Sequence, residues 1–168
     1  MGYSKTAIGL IAKNAGLWPA VIGGLLGGLW MVKIGINKAL WLFGLVQFGS
    51  IFGFLWLASV GVQADVGPVE LTRLAVVIGF EAFGVGVGTA AFVAYIARST
   101  HPAYTATQFA LFTSLAAVPR TFINAGAGWL VESMGWVSFF LLCAGLAVPG
   151  MLLLFKVAPW HDRPASNE

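Results

Sequence analysis

The sequence predicts an all-α integral membrane protein of five transmembrane helices. Two observations carry that reading. Of 168 residues, 59% are hydrophobic and 9% charged, whereas soluble domains carry about 25% charged residues. The charges are also segregated: a bilayer core about 30 Å thick needs about 20 helical residues, and five stretches of roughly that length or more hold one charge or none. A soluble globular enzyme, a disordered chain and a coiled coil are excluded by this composition. The 22 glycines and 7 tryptophans fit the same class, since Gly is tolerated inside spans and Trp gathers at membrane interfaces.

The spans follow in order. Residues 14–32 and 39–64 carry no charge, which places the first two helices near 14–33 and 39–60. Residues 74–97 are interrupted only by Glu81 and residues 99–131 only by Arg120, giving helices near 73–97 and 106–130. Residues 133–155 are uncharged, giving a helix near 135–156. The connections read as turns, with Gly35, Gly67-Pro68, Pro102 and Gly135 as their breakers. Short connections make neighbouring helices antiparallel. The resulting organisation is an N-terminal segment at 1–13 outside the membrane, a membrane domain at 14–157 and a tail at 158–168. Lys13 interrupts the opening apolar stretch and no small-residue cleavage site follows, so the segment is not read as a secretory leader.

Orientation follows from Lys and Arg, which are retained on the cytoplasmic side of short loops. One side holds Lys33, Lys38, Arg98, Lys156 and Arg163; the other holds Lys5, Lys13 and Arg73. The C-terminus is therefore expected in the cytoplasm and the N-terminus outside. An odd span count then implies one or more helices before residue 1. The net charge of +3 is scattered over the loops and gives no footprint for a nucleic-acid partner. Cys143 stands alone in an apolar run, so neither a disulfide nor a Cys/His metal site is expected, and no cofactor is implied.

Charges in the hydrocarbon core cost about 2.5–3.5 kcal/mol each, so Glu81 and Arg120 need a reason to be there. Counted from the outer ends of their spans, Glu81 lies about 12 Å deep and Arg120 about 16 Å deep. The expectation is that both face the bundle interior, where they pair or border a path for substrate or protons. Thr113, Ala117, Arg120, Asn124 and Gly128 share one helical face, a small and polar stripe that avoids lipid. Pro119 loosens the helix beside Arg120. Gln47 and Ser50 are candidates for interhelical hydrogen bonds. The run Gly23-Gly24-Leu-Leu-Gly27-Gly28 contains two overlapped GxxxG pairs, which favour close helix packing. Gly84 and Gly88 are read the same way, since they lie in a span without the strand and spacing that a phosphate loop needs. His101 and His161 are read as solvated. There is no hydrolytic constellation, which argues against an enzyme.

The loop Gly27-Gly-Leu-Trp-Met-Val-Lys-Ile-Gly35-Ile-Asn-Lys38 resembles the signature loop of the major facilitator superfamily, although its usual acidic residue is absent. Gly88-Thr-Ala-Ala-Phe-Val-Ala94, the stretch Ala106 to Arg120, Ala127-Gly-Trp-Leu-Val-Glu-Ser-Met-Gly-Trp136 and Ala147-Val-Pro-Gly150, in this order, resemble the AmpG-type muropeptide permeases. The resemblance implies helices 8 to 12 of a twelve-helix fold, with the N-terminal half of the transporter as a missing partner. It further implies proton-driven import of anhydromuropeptides across the bacterial inner membrane for peptidoglycan recycling. Glu81, Arg120, Asn124 and Gln47 are then the candidate substrate or proton pathway. The alternative is a stand-alone five-span structural or interaction protein without transport activity.

Overall fold

The computed structural model describes residues 5–61 and 67–160, without the side chains of Lys5 and Ala7. Met1 to Ser4, the Gln63 to Val66 part of the second predicted turn, and residues 161–168 of the expected tail, with His161 and Arg163, lie outside the described residues. The chain is helical almost throughout: α1 at Lys5–Ile11, a π-helical turn at Ala12–Gly16, α2 at Leu17–Ile34, α3 at Ile36–Val60, α4 at Pro68–Ser99, a 3-10 turn at Pro102–Tyr104, and α5 at Thr105–Val157.

Local chemistry explains the boundaries. Gly35 ends α2 at φ 83° and Gly61 ends α3 at φ 65°, a left-handed backbone that residues with a Cβ rarely adopt. Their N–H groups close the preceding turns on the carbonyls of Met31 and Leu57. Pro68 opens α4 at its first position with Glu70 in the first turn, and Arg98 lies in its last turn, both charges matching the helix dipole. Pro19 has no N–H for the Ala15 carbonyl, and the π-helical widening falls in the turn just before it.

Four helical stretches are long and apolar enough to cross a membrane: Ile8–Ile34, Ile36–Val60, Pro68–Ser99 and Pro102–Val157. This corrects the expected five. The last two predicted spans, 106–130 and 135–156, are one element, α5, of 53 residues. The predicted turn at Glu132 to Gly135 reduces to Gly135 alone, whose φ of 78° and ψ of 166° are the non-helical dihedrals inside α5. A single glycine suffices because it takes up the reversal of backbone that other residues resist. Before Gly135, α5 runs alongside α4, with Phe112 and Leu115 bordering one cavity with Phe92 and Ile96. After Gly135 it runs against α3, with Phe140 stacked on Phe54 at 5.5 Å and Phe155 edge-on to Trp41 at 4.5 Å.

The tightest seam joins α2 to α4, which run parallel. A Cβ added at Gly23 would lie 2.5 Å from the Phe83 carbonyl oxygen, and one at Gly27 would lie 2.9 Å from the Val87 Cα. From the other side, Gly86 receives the Ala20 carbonyl and the Gly24 backbone, with that Gly24 nitrogen 2.8 Å from an added Cβ. Backbone touches backbone here, the packing that membrane helices use in place of a hydrophobic drive between them. Ala39, Phe43, Val87 and Ala91 form one buried cluster, and Leu57, Leu74 and Val77 another. None of the residues of α5 is buried.

A polar clasp ties three helices at one end. Arg98 donates to the Asn37 side-chain oxygen, and the Asn37 amide donates to the Pro159 carbonyl at 3.1 Å. The Trp41 indole N–H donates to the Ala158 carbonyl at 2.9 Å and the Tyr95 hydroxyl to that of Val157 at 3.4 Å. These bonds satisfy carbonyls that the end of α5 leaves without helical partners.

Candidate functional site

Between α3, α4 and α5 lies a cavity of about 420 Å³ lined by Gln47, Glu81, Val85, Gly88, Thr89, Phe92 and Arg120. Helical periodicity assembles it. Glu81, Val85, Gly88, Thr89 and Phe92 fall at i, i+4, i+7, i+8 and i+11, one face of α4. Gln47 comes from the middle of α3 and Arg120 from α5. Gly84 makes room for Gln47: a Cβ there would stand 3.2 Å from the Gln47 side-chain oxygen.

Glu81 and Arg120, 39 positions apart in sequence, border the same space. They do not close to an ion pair. Among the described residues the ion pair within 4.0 Å is Arg73 with Glu70, within the first turns of α4. Glu81 is half-buried and Arg120 is exposed.

Asn124, one turn beyond Arg120, is exposed and does not border the cavity. Ser50 is buried and donates to the Gln47 backbone carbonyl at 2.7 Å, within its own helix. Of the candidate packing glycines, Gly23, Gly24 and Gly27 face α4, Gly84 faces α3, and Gly28 and Gly88 have no heavy atom within 4 Å of an added Cβ. His101 caps the turn before α5: its Nδ1 accepts from the Ala103 N–H at 3.2 Å, and its own N–H donates to Gln108 at 2.7 Å. Among the described residues no three His, Cys, Asp or Glu side chains stand together as a metal site.

Val85, Thr89 and Phe92 were not singled out by sequence. Their signal was the i+4, i+8 and i+11 spacing from Glu81, which marks the face on which a costly intramembrane acid must point.

No known family profile matches the chain. Individual proteins do. The anhydromuropeptide permease of Escherichia coli K12 is 36% identical over 154 residues, which covers 92% of this chain and 30% of the permease. By sequence the chain is a homologue of the anhydromuropeptide permeases. The permease of E. coli O157:H7 matches to the same extent, and an uncharacterized protein of Haemophilus influenzae is 52% identical over 95% of this chain and 37% of its own length. The chain thus spans about a third of the length of the curated relatives it matches. A match over 92% of 168 residues takes in all of 47–120, so the cavity-lining residues lie within the stretch shared with the permeases.

Proposed function

We propose that this chain is the part of a secondary transporter that corresponds to helices 8 to 12 of a twelve-helix major facilitator fold. In this reading it forms one wall of a pathway that imports anhydromuropeptides across the bacterial inner membrane, driven by protons. The observation that carries the reading is the cavity holding Glu81, Arg120, Gln47 and Thr89 inside an otherwise apolar bundle of a permease homologue. Intramembrane charges that border a cavity are the usual mark of substrate or proton routes. Permease homology also favours transport over bond-changing chemistry.

Five crossings fit this reading, with α5 crossing twice. At 1.5 Å per residue its 53 residues would extend about 80 Å if straight, well beyond a core of about 30 Å. The reversal at Gly135 supplies the turn. Lys33, Lys38, Arg98 and Lys156 lie toward the clasp end, which the cation rule assigns to the cytoplasm, with the C-terminus there. The segment at 1–13 and the Arg73 end are then outside. Asn124 belongs to the pathway only if another helix packs over α5 and encloses it.

The test is uptake of labelled anhydromuropeptide by cells without their own permease. The chain is expressed alone, and together with the two-thirds of the E. coli permease that it does not match. Uptake restored by the pair, and abolished by Glu81→Gln or Arg120→Ala, is the expected result. Restoration that neither substitution affects overturns the pathway assignment. No uptake from either form, with both proteins in the membrane, favours the stand-alone interaction protein.

A further inference from the structure

The cavity between α3, α4 and α5 holds two opposite charges that do not neutralise each other at contact. Glu81 and Arg120 both border it, yet no nitrogen and oxygen of the two come within 4.0 Å. In an apolar bundle a structural ion pair closes, because attraction at low dielectric repays desolvation only at good geometry. A guanidinium left at a distance keeps its planar fork of donors for something else, and that fork matches a carboxylate in bidentate fashion.

The remaining lining is graded along α4. Glu81 and Phe92 are eleven residues apart, about 16 Å along the helix. Arg120 lies between these levels, because Ala116, one turn before it, borders the neighbouring cavity together with Phe92. Thr89 offers a hydroxyl and Gln47 an amide beside the charges, and Phe92 a partly exposed aromatic ring. Acid, guanidinium, amide, hydroxyl and aromatic ring thus line a space of about 420 Å³.

We propose that Arg120 is the anchor for a free carboxylate on the ligand, and that Phe92 is the platform on which the ligand's sugar ring lies. The ligand class is a saccharide bearing an ionised carboxylate; this rests on the function proposed above and adds to it which part of the molecule each residue reads. A sugar ring presents an apolar C–H face to an aromatic ring and hydroxyl or acetamido groups to Thr89 and Gln47. Its carboxylate then reaches the guanidinium, on the Glu81 side of Phe92. Thr89 and Phe92 become specificity-determining residues, and Arg120 sets the requirement for negative charge.

The test is binding by the 168-residue chain in lipid nanodiscs, with a labelled disaccharide anhydromuropeptide whose carboxylates are either free or all converted to carboxamides. Loss of a charge-assisted bidentate contact is expected to weaken binding about ten- to a hundredfold for the amidated form. In Arg120→Gln that difference disappears, and in Arg120→Lys, which keeps the charge without the fork, it is partly retained. Phe92→Leu weakens the free and amidated forms by the same factor. Equal binding of the two forms to the unsubstituted chain overturns the carboxylate anchor while leaving the proposed function intact, and this comparison needs no variant to fold. A difference that persists in Arg120→Gln also overturns it. Failure of the unsubstituted chain to bind either form overturns the anchor built from this chain's own residues, whereas the proposed function, which includes the rest of the transporter, stands or falls on the paired uptake experiment.

Discussion

Replacing Gly23 by alanine isolates the helix seam, because two effects of opposite sign meet there. In a helix interior Ala is favoured over Gly by about 0.8–1.0 kcal/mol. At Gly23 the new methyl would lie 2.5 Å from the Phe83 carbonyl oxygen and 3.2 Å from the Phe83 Cα, both backbone atoms that cannot swing away. Relieving the clash to an ordinary contact near 3.4 Å means separating α2 and α4 by about 0.9 Å at this level, and gaps of 0.5–1 Å forfeit about a quarter to a half of a dispersion contact. Overpacking of this kind costs about 1–3 kcal/mol. The overpacking cost offsets or exceeds the propensity gain, and Gly23→Ala is expected to destabilise the chain by up to about 2 kcal/mol. Gly28, five residues on in the same helix, has nothing within 4 Å of an added Cβ. Gly28→Ala therefore keeps the propensity gain and is neutral or stabilising by up to about 1 kcal/mol. The measurement is reversible denaturation in mixed detergent micelles, followed by tryptophan fluorescence, with the two variants side by side. A Gly23→Ala midpoint at or above that of Gly28→Ala would refute the backbone-contact argument.

Asn37→Leu removes a neutral hydrogen bond and one from a charged donor; both partners lie at the end of the bundle, where water replaces part of the loss, so a cost of about 1–2 kcal/mol is expected. Faster hydrogen exchange at Ala158 and Pro159's neighbours, with the α2 and α4 seam unchanged, checks it; uniform loosening contradicts a local clasp. Gly135→Ala forces a Cβ onto a residue at φ 78°, at a cost of about 1–2 kcal/mol, while Gly145→Ala in the same element meets open space and serves as the control in the same denaturation assay. If the two are equally stable, Gly135 does not hold the left-handed turn.

The fold was legible to the extent that it follows from local composition. Charge-free windows located the helices near their observed places, and Gly35, Pro68, Pro102 and Gly135 marked the breaks between them. The error fell at the last break, where a turn of several residues was expected and one glycine does the work. Length alone does not say how few residues a reversal needs. The candidate site was half legible. Glu81 and Arg120 stand out because a charge amid apolar residues is costly wherever it occurs. Thr89 and Phe92 carry no such penalty, and only their position on the Glu81 face brings them to the cavity. Asn124 shares a helical stripe with Arg120, yet its side chain is exposed and does not border the cavity, because a stripe fixes a face of one helix and not what packs against it.

What the sequence by itself determined is therefore the solvent and the secondary structure: apolar runs long enough to span a bilayer must be helical, because every backbone N–H and C=O must be satisfied within its own segment. Only tertiary structure decided which helices touch. The parallel seam of α2 on α4 depends on Gly23 and Gly27 meeting Phe83 and Val87, 60 residues later. The clasp joins Asn37 to Arg98 across 61 positions and to Pro159 across 122. Such pairings depend on shape and depth between distant segments, and no local pattern of hydropathy encodes them.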